Sequence, residues 1–255
     1  MFDGHIENPV AIAALLLAAL IGAPLAVAAL LRRPADARSD RRLFALGAAY
    51  LAAVALLVPL NLLNWVQGGP MVLVFGAEGM DTGLVEYATV ANFAAIAAFC
   101  AALSRRAEGA ARPVLMGFAA LAVVALGEEI SWGQWIFGWS SPEAFAEANL
   151  QGETNLHNFL PPWAFEAAYA LVGAGLIAVA AGLVLLKPER LPPVIRPAAA
   201  HLSRLGLAVP LIVASGALMQ HHVFQELSEL ALTGTVVYAL AGLKPFGRAV
   251  SAVPA

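Results

Sequence analysis

The fourteen Lys and Arg residues of this 255-residue chain are confined to four short segments. Three of them, residues 32–42, 105–112 and 187–204, connect long apolar stretches, and the fourth, residues 244–248, lies in the C-terminal tail. Because basic residues concentrate in the cytoplasmic loops of membrane proteins, the pattern predicts that all four segments are cytoplasmic. Each apolar stretch between them is long enough to cross the membrane twice.

The composition excludes a water-soluble domain. Hydrophobic residues make up 61% of the chain, charged residues make up 12%, and the mean hydropathy is +0.79. The apolar runs are rich in Ala and Leu and lack the period-two alternation of barrel strands. We therefore predict an all-α, polytopic helical bundle that forms one transmembrane domain over residues 1–255. The single cysteine, Cys100, excludes an intrachain disulfide.

A bilayer core needs about 20 helical residues per crossing. The predicted spans are residues 9–31, 43–63, 84–103, 113–135, 163–186, 205–224 and 227–243. Seven spans place the N-terminus outside and all four basic segments in the cytoplasm, as in a multi-pass protein of the bacterial inner membrane. The alternative is six spans plus an interfacial helix, because no Gly or Pro separates Ala217 from Thr233 and one continuous helix is consistent with that run.

The face without basic residues carries most of the unusual side chains. Only four of the seventeen acidic residues lie in the basic segments, whereas all five Trp and four of the five His residues are predicted on the opposite face. An interfacial aromatic belt is the simpler explanation of the Trp residues, and the alternative is that they line the mouth of a lipid-binding cavity. Nothing outside the basic segments suits a nucleic acid, and the inner halves of the helices offer no polar path for a transporter. We therefore predict that the protein acts at the extracytoplasmic leaflet.

The first polar motif is GEEISWGQWIFGW, residues 127–139. Two adjacent carboxylates, Glu128 and Glu129, end an apolar span, so they must be hydrated, protonated, paired or bound to a metal. If the helix continues through the motif, Glu128, Trp132 and Trp135 share one face. The simpler alternative is that both glutamates reach external water.

The second motif is NLQGETNLHN, residues 149–158, in the following loop. Glu153 and His157 are one helical turn apart and would act on one face if this segment were helical. A surface helix without a functional role explains the same spacing.

The third motif is QHHVFQELSE, residues 220–229. In a helix, His222, Glu226 and Glu229 would form one stripe, with His221 and Gln225 beside it.

Carboxylates and imidazoles without a thiolate suit Zn, Fe or Mn, and helical bundles build such sites from facing helices. The predicted metal ligands are Glu128, Glu129, His157, His222 and Glu226. Glu128, Glu129, Glu153 and Glu86 are the predicted catalytic acids or bases, and Trp132, Trp135, Gln134, Asn158 and His221 are predicted to bind substrate.

Across residues 80–160, the motifs GLVEYAT (containing Glu86), GEEISWGQ and QGETNLHN resemble those of a group of uncharacterised bacterial polytopic membrane proteins. The resemblance implies a bacterial membrane location and no particular activity.

Two functions remain open from the sequence. The first is a metal-dependent hydrolase or oxidase that acts on a lipid or another hydrophobic substrate. The second is a non-catalytic subunit or binding module that holds a lipid, quinone, pigment or partner membrane subunit. Membrane lipids are the expected partners in both cases.

Overall fold

The computed structural model describes residues 9–31, 41–67, 69–76 and 83–243, with the backbone alone at Trp135 and Pro188. Its α-helices are α1 (Pro9–Leu31), α2 (Arg41–Val66), α3 (Val72–Phe75), α4 (Leu84–Ser104), α5 (Ala111–Glu129), α6 (Gln134–Phe137), α7 (Glu143–Ala148), α8 (Pro162–Leu185), α9 (Arg196–Arg204), α10 (Ala208–Leu218) and α11 (Gln225–Gly242). These residues include no β-strand, which confirms the predicted all-α fold.

Five of the described helices, α1, α2, α4, α5 and α8, are long and apolar enough to cross a bilayer. A sixth crossing requires α9 and α10 to count as one span, although they are bent by 102°. The apolar side chains of the long helices face outward: Leu20 is 72% exposed and Leu171 is 74% exposed. Such a surface is unstable in water and suits lipid. Seven spans are not confirmed by helix length and hydropathy.

The chain packs as two compact units. The first comprises Met1–Thr89 and Leu160–Thr235, and the second comprises Val90–Phe159 and Val236–Ala255. The predicted N-terminal orientation and most of the basic segments at 32–42 and 244–248 lie outside the described residues. The single transmembrane domain stays a prediction.

In the first unit, α10 packs against α1 and α8 and is buried along nearly its whole length. Its sequence, AVPLIVASGAL, is apolar on every side, as burial on all sides requires. Glycines allow the close approach: a Cβ at Gly173 would lie 2.6 Å from the Gly216 carbonyl oxygen, and one at Gly22 would lie 2.5 Å from Val213 Cγ1. Gly173 and Gly216 thus allow α8 and α10 to pack closely, whereas a Cβ added at Gly175 would meet nothing within 4 Å.

The chain reverses between α10 and α11. Helical geometry ends after Met219, and His221 is extended with φ −143° and ψ 126°. Ser215 and Thr235 lie 3.2 Å apart through their hydroxyl oxygens, although a continuous helix would separate them by roughly 30 Å. The alternative of one continuous helix through residues 218–232 is therefore wrong. The predicted span 205–224 is also wrong in its bounds, because α10 has only 11 residues.

In the second unit, α4 and α5 enclose a small core of Ile96, Cys100, Ala119 and Ala122. Leu240, from the end of α11, packs against this core. The helix α5 ends at Glu129, six residues before the predicted end of the span 113–135. The chain then forms a 3₁₀ turn at Ser131–Gly133 and the short helices α6 and α7 before α8 begins.

Candidate functional site

The turn between α10 and α11 is fixed by side chains that bind its backbone. Gln220 Nε2 donates to the carbonyl oxygens of Gly216 (3.0 Å) and Ala170 (3.3 Å). The Val223 N–H donates to His221 Nδ1 at 3.2 Å, and Asn61 Nδ2 donates to the Val223 carbonyl oxygen at 2.6 Å. Because buried backbone groups need such partners, these bonds hold an irregular segment in one conformation.

The two histidines in this turn stack on each other. Their ring centroids are 4.7 Å apart and their planes differ by 26°, while Trp65 contacts the His222 ring edge-on at 6.0 Å. His221 is buried, and its Nδ1 accepts a hydrogen bond from the Val223 N–H.

A cavity of about 170 Å³ lies beside the stacked histidines. Its apolar lining consists of Val10, Ala11, Ala14, Ala170 and Met219, and its polar lining consists of Glu166, Tyr169, Gln220, His221, His222 and Gln225. We call it the His pocket. It lies beyond the end of α10 at Leu218, between the first turns of α1 and α8 and the turn that leads into α11 at Gln225.

Several polar groups of the His pocket are available to a ligand. No hydrogen bond joins the side-chain amide of Gln225, the Oε1 atom of Gln220 or the carboxylate of Glu166 to any residue that the structure describes. Tyr169, by contrast, donates its hydroxyl proton to Glu229 Oε1. These groups can therefore form hydrogen bonds with a ligand that accepts or donates them.

The structure brings only part of the predicted site to this pocket. His221 and His222 line it, whereas Glu226 follows in the first turn of α11 and is not a lining residue. Glu86 is buried in the first turn of α4, where its Oε2 accepts the Gly83 N–H at 3.1 Å and caps the helix. Catalytic roles for these glutamates stay predictions.

Sequence reasoning missed Tyr169, Gln220 and Gln225 as site residues. The signal for Tyr169 was a lone hydroxyl in the otherwise apolar segment 167–186. No local pattern identifies Val10, Ala11 or Ala14, because they line the pocket only through helix packing.

The other motifs meet in residues 130–159, which we call the clamped loop. Glu128 Oε2 accepts the backbone N–H groups of Leu156 (2.6 Å) and His157 (3.2 Å), and its Oε1 accepts Trp132 Nε1 at 2.8 Å. His157 Nδ1 lies 3.6 Å from the same carboxylate. Glu128 thus tethers the far end of the loop to the end of α5.

A second carboxylate anchors the interior of the clamped loop. Glu153 Oε2 accepts hydrogen bonds from Ser131 Oγ (2.5 Å) and Asn155 Nδ2 (2.9 Å). Ser131 and Asn155 have no exposed surface, and Glu153 is 2% exposed. Asn149 Oδ1 accepts the Glu153 N–H at 3.1 Å. The buried polar groups satisfy one another, as a stable network requires.

The remaining predicted residues of the loop also form contacts within it. Gln134 Oε1 accepts the Thr154 N–H at 2.9 Å, and Asn158 Nδ2 donates to Gln151 Oε1 at 2.8 Å. The Trp135 side chain, predicted to bind substrate, lies outside the described atoms.

Two helical expectations for this region are wrong. Ser131 and Trp132 have φ of 46° and 53° and Gly133 has φ of 87°, so a left-handed turn interrupts the predicted stripe from Glu128 through Trp132 to Trp135. Glu153 and His157 share no helical face, because Glu153 lies outside any helix. Left-handed conformations cost free energy at residues other than glycine, and the hydrogen bonds of the clamped loop offset that cost.

Removing the Glu128 carboxylate is expected to loosen the clamped loop. Hydrogen bonds to a charged group stabilise by about 1.5–3 kcal/mol each when shielded from water, so Glu128→Ala should lower the free energy of loop opening by about 2 kcal/mol. Limited proteolysis with chymotrypsin should then cut the loop roughly tenfold to thirtyfold faster. Glu147→Ala, at an exposed position of the same loop, is the control. Equal cleavage of the two variants would show that Glu128 does not hold the loop.

The described residues contain no group of three or more His, Cys, Asp or Glu side chains arranged to hold a metal ion. The predicted metal site, which combines residues of both units, therefore gains no support and stays a prediction. No protein-family model, curated protein or solved structure matches this chain.

Proposed function

We propose that the chain is a multi-pass protein of the bacterial inner membrane, with seven crossings and its basic segments in the cytoplasm. The confinement of every Lys and Arg to four segments supports this orientation. The reversal between α10 and α11 supports a returning final segment over an interfacial helix that continues α10. The N-terminal ends of α1 and α8 are then on the extracytoplasmic side.

We further propose that the His pocket binds the polar head of a hydrophobic molecule from the extracytoplasmic leaflet. The observation that carries this proposal is the mixed lining of the cavity, with small apolar residues of α1 on one side and the histidines and glutamines of the turn on the other. Binding sites for small molecules combine an apolar wall with a few polar groups in this way.

The depth of the pocket suits such a ligand. The lining residues that α1 and α8 contribute fall within the first six residues of α1 and the first nine residues of α8. At 1.5 Å per residue, they lie within roughly 12 Å of the helix ends. A head group placed there leaves its apolar tail in the hydrocarbon core.

The geometry favours a binding role over the metal-dependent enzyme that was also predicted. Glu128 accepts three hydrogen bonds within the clamped loop, and Glu153 serves the same loop. Ligation of a metal by either carboxylate would compete with these bonds. The His pocket combines two imidazoles with side-chain amides, which suit hydrogen bonding to a neutral ligand.

Organic extraction of the purified protein tests the binding role. Ala14→Phe places a ring in the pocket, and Ala13→Phe adds the same ring to an exposed position of α1 as the matched control. We expect mass spectrometry to detect one hydrophobic species near one equivalent in the wild type and in Ala13→Phe, and at least about tenfold less in Ala14→Phe. Equal recovery from all three proteins would refute the proposal.

Metal analysis of the wild type, His222→Ala and Glu128→Ala distinguishes a metal-dependent enzyme from the binding role. One equivalent of Zn, Fe or Mn in the wild type, lost in both variants, would support a metal-dependent enzyme and contradict the binding role. Substoichiometric metal in the wild type would remove the basis of the metal prediction.

A further inference from the structure

We infer that residues 187–204 bind anionic phospholipid at the membrane surface, with their basic side chains at the lipid phosphates and Val194 and Ile195 in the lipid. The site lies beyond the end of α8, whereas the His pocket lies near its beginning, so the two are independent. The inference takes from the proposed function only that α8 crosses the membrane. It follows from the orientation of α9, the exposed apolar side chains before it and the basic residues around it.

The helix α9 runs along the membrane surface when α8 crosses the membrane. Gln220, just after α10, bonds Ala170 near the start of α8, whereas Val209 in the first turn of α10 packs in one cluster with Ala180. The helix α10 therefore lies antiparallel beside α8. Because α9 is bent by 102° from α10, it lies nearly perpendicular to both helices. Leu202 packs against the same cluster and keeps α9 at the end of α8.

Two apolar side chains lie exposed directly before α9. Val194 is 86% exposed and Ile195 is 48% exposed, beside the basic residues of the same segment. The boundary between head groups and acyl chains accommodates both kinds of side chain, because charged groups remain hydrated there while apolar groups reach the acyl chains. A soluble anion or a nucleic acid would satisfy the basic residues alone. The combination therefore favours a lipid.

The charge of the segment favours a lipid with net negative charge. Its four basic residues are exposed and accompanied by one acidic residue, Glu189: they are Lys187, Arg190, Arg196 and Arg204. Among the residues that the structure describes, no carboxylate forms an ion pair with any of the four. Arg196 Nη2 donates to the carbonyl oxygens of Glu189 (3.4 Å) and Leu191 (3.1 Å), which holds this turn against α9. Basic groups at a membrane surface attract anionic lipids.

The orientation rule for basic residues does not explain this arrangement by itself. The segment 105–112 carries three arginines as well, but its other residues are Ala, Gly and Glu, without a large apolar side chain. It has the charge that the rule requires and no group to enter the lipid. Segment 105–112 is therefore the natural control for a lipid site at 187–204.

Fluorescence quenching in nanodiscs of equal parts phosphatidylglycerol and phosphatidylcholine tests the inference on the full chain. In a Cys100→Ala background, a bimane label is attached at Val194→Cys, and bromine is placed in the acyl chains of one lipid at a time. Leu171→Cys, 74% exposed on α8, reports the bulk lipid. We expect both brominated lipids to quench Leu171→Cys alike, and quenching at Val194→Cys to show phosphatidylglycerol enriched at least about fivefold. No quenching at Val194→Cys, or equal quenching by both lipids, would overturn the inference.

Paired charge variants assign the enrichment to this segment. Arg190→Gln with Arg204→Gln removes half of its basic residues, so the enrichment at Val194→Cys should fall to about twofold or less. Arg105→Gln with Arg112→Gln makes the same charge change at exposed positions and should leave the enrichment unchanged. Enrichment that survives the first pair, or that both pairs reduce equally, would overturn the inference.

Inorganic phosphate separates a lipid site from a site for a free anion. Exchanging chloride for phosphate at constant ionic strength should leave the enrichment at Val194→Cys unchanged, because the lipid phosphates are held at the surface at high local concentration. Loss of the enrichment in phosphate would identify a free-anion site and contradict the inference.

Discussion

Replacing Gly173 with leucine is expected to disrupt the packing of α8 against α10 and to abolish the His pocket. The Cβ alone would lie 2.6 Å from the Gly216 carbonyl oxygen and 2.8 Å from Met219 Cβ. Overpacking in a filled core typically costs about 1–3 kcal/mol, and the cost is higher where the neighbour is backbone that cannot rotate away. We therefore expect a loss of about 3 kcal/mol or more.

Gly175→Leu is the matched control for this prediction. A Cβ at Gly175 meets nothing within 4 Å, and leucine has a higher helix propensity than glycine by nearly 1 kcal/mol. The two variants make the same chemical change two residues apart on one helix. Thermal unfolding of the purified proteins should place Gly173→Leu roughly 10 °C or more below the wild type and Gly175→Leu at or above it. Similar midpoints for both variants would mean that α8 and α10 do not meet at Gly173.

The Gly173→Leu substitution should also weaken ligand binding in the His pocket, because Gln220 lies beside Gly173. The Gln220 amide bonds Ala170 and Gly216 and so connects α8 to the turn that carries both histidines. A side chain at position 173 would displace it. Any Gly173→Leu protein that folds should therefore yield much less of the extracted hydrophobic species than Gly175→Leu.

The long apolar helices were predictable from the sequence. The predicted spans 9–31, 84–103 and 163–186 agree within one residue with Pro9–Leu31, Leu84–Ser104 and Pro162–Leu185. Their length and continuous hydropathy leave no other conformation that satisfies the backbone in lipid. The hydropathy of a span is a sum over about 20 residues, so no single side chain decides it.

The break after α5 was not predictable in the same way. Local propensity does not favour positive φ at Ser131 and Trp132, since neither residue is glycine. The conformation is held by partners distant in sequence, above all Glu153 and Asn155. The sequence marks the motifs at residues 127–139 and 149–158 as unusual and predicts catalytic or ligand-binding roles for them. In the structure, side chains of the two motifs form hydrogen bonds with each other.

The His pocket depends on a feature that composition does not reveal. Hydropathy predicted a full span at residues 205–224, but the chain bends before Ala208 and leaves the helix after Leu218. The short α10 leaves unfilled space at the first turns of α1 and α8. The histidines were recognised from the sequence, and their surroundings depend on helix packing.

Cysteine labelling in intact cells should assign the two sides of the membrane. In a Cys100→Ala background, single cysteines replace Glu147 in the clamped loop, Glu108 in the basic segment 105–112, and Leu243 after α11. All three positions are exposed, so access depends on the side of the membrane and not on burial.

This labelling is the most direct test of an extracytoplasmic His pocket, because α8 begins at Pro162 directly after the clamped loop. We expect an impermeant maleimide to label Glu147→Cys in intact cells, and to label Glu108→Cys and Leu243→Cys only after permeabilisation. If Leu243→Cys is labelled in intact cells while Glu108→Cys stays protected, residues 227–243 do not cross the membrane. Labelling of Glu108→Cys in intact cells, with Glu147→Cys protected, would invert the topology and contradict a ligand site at the extracytoplasmic leaflet.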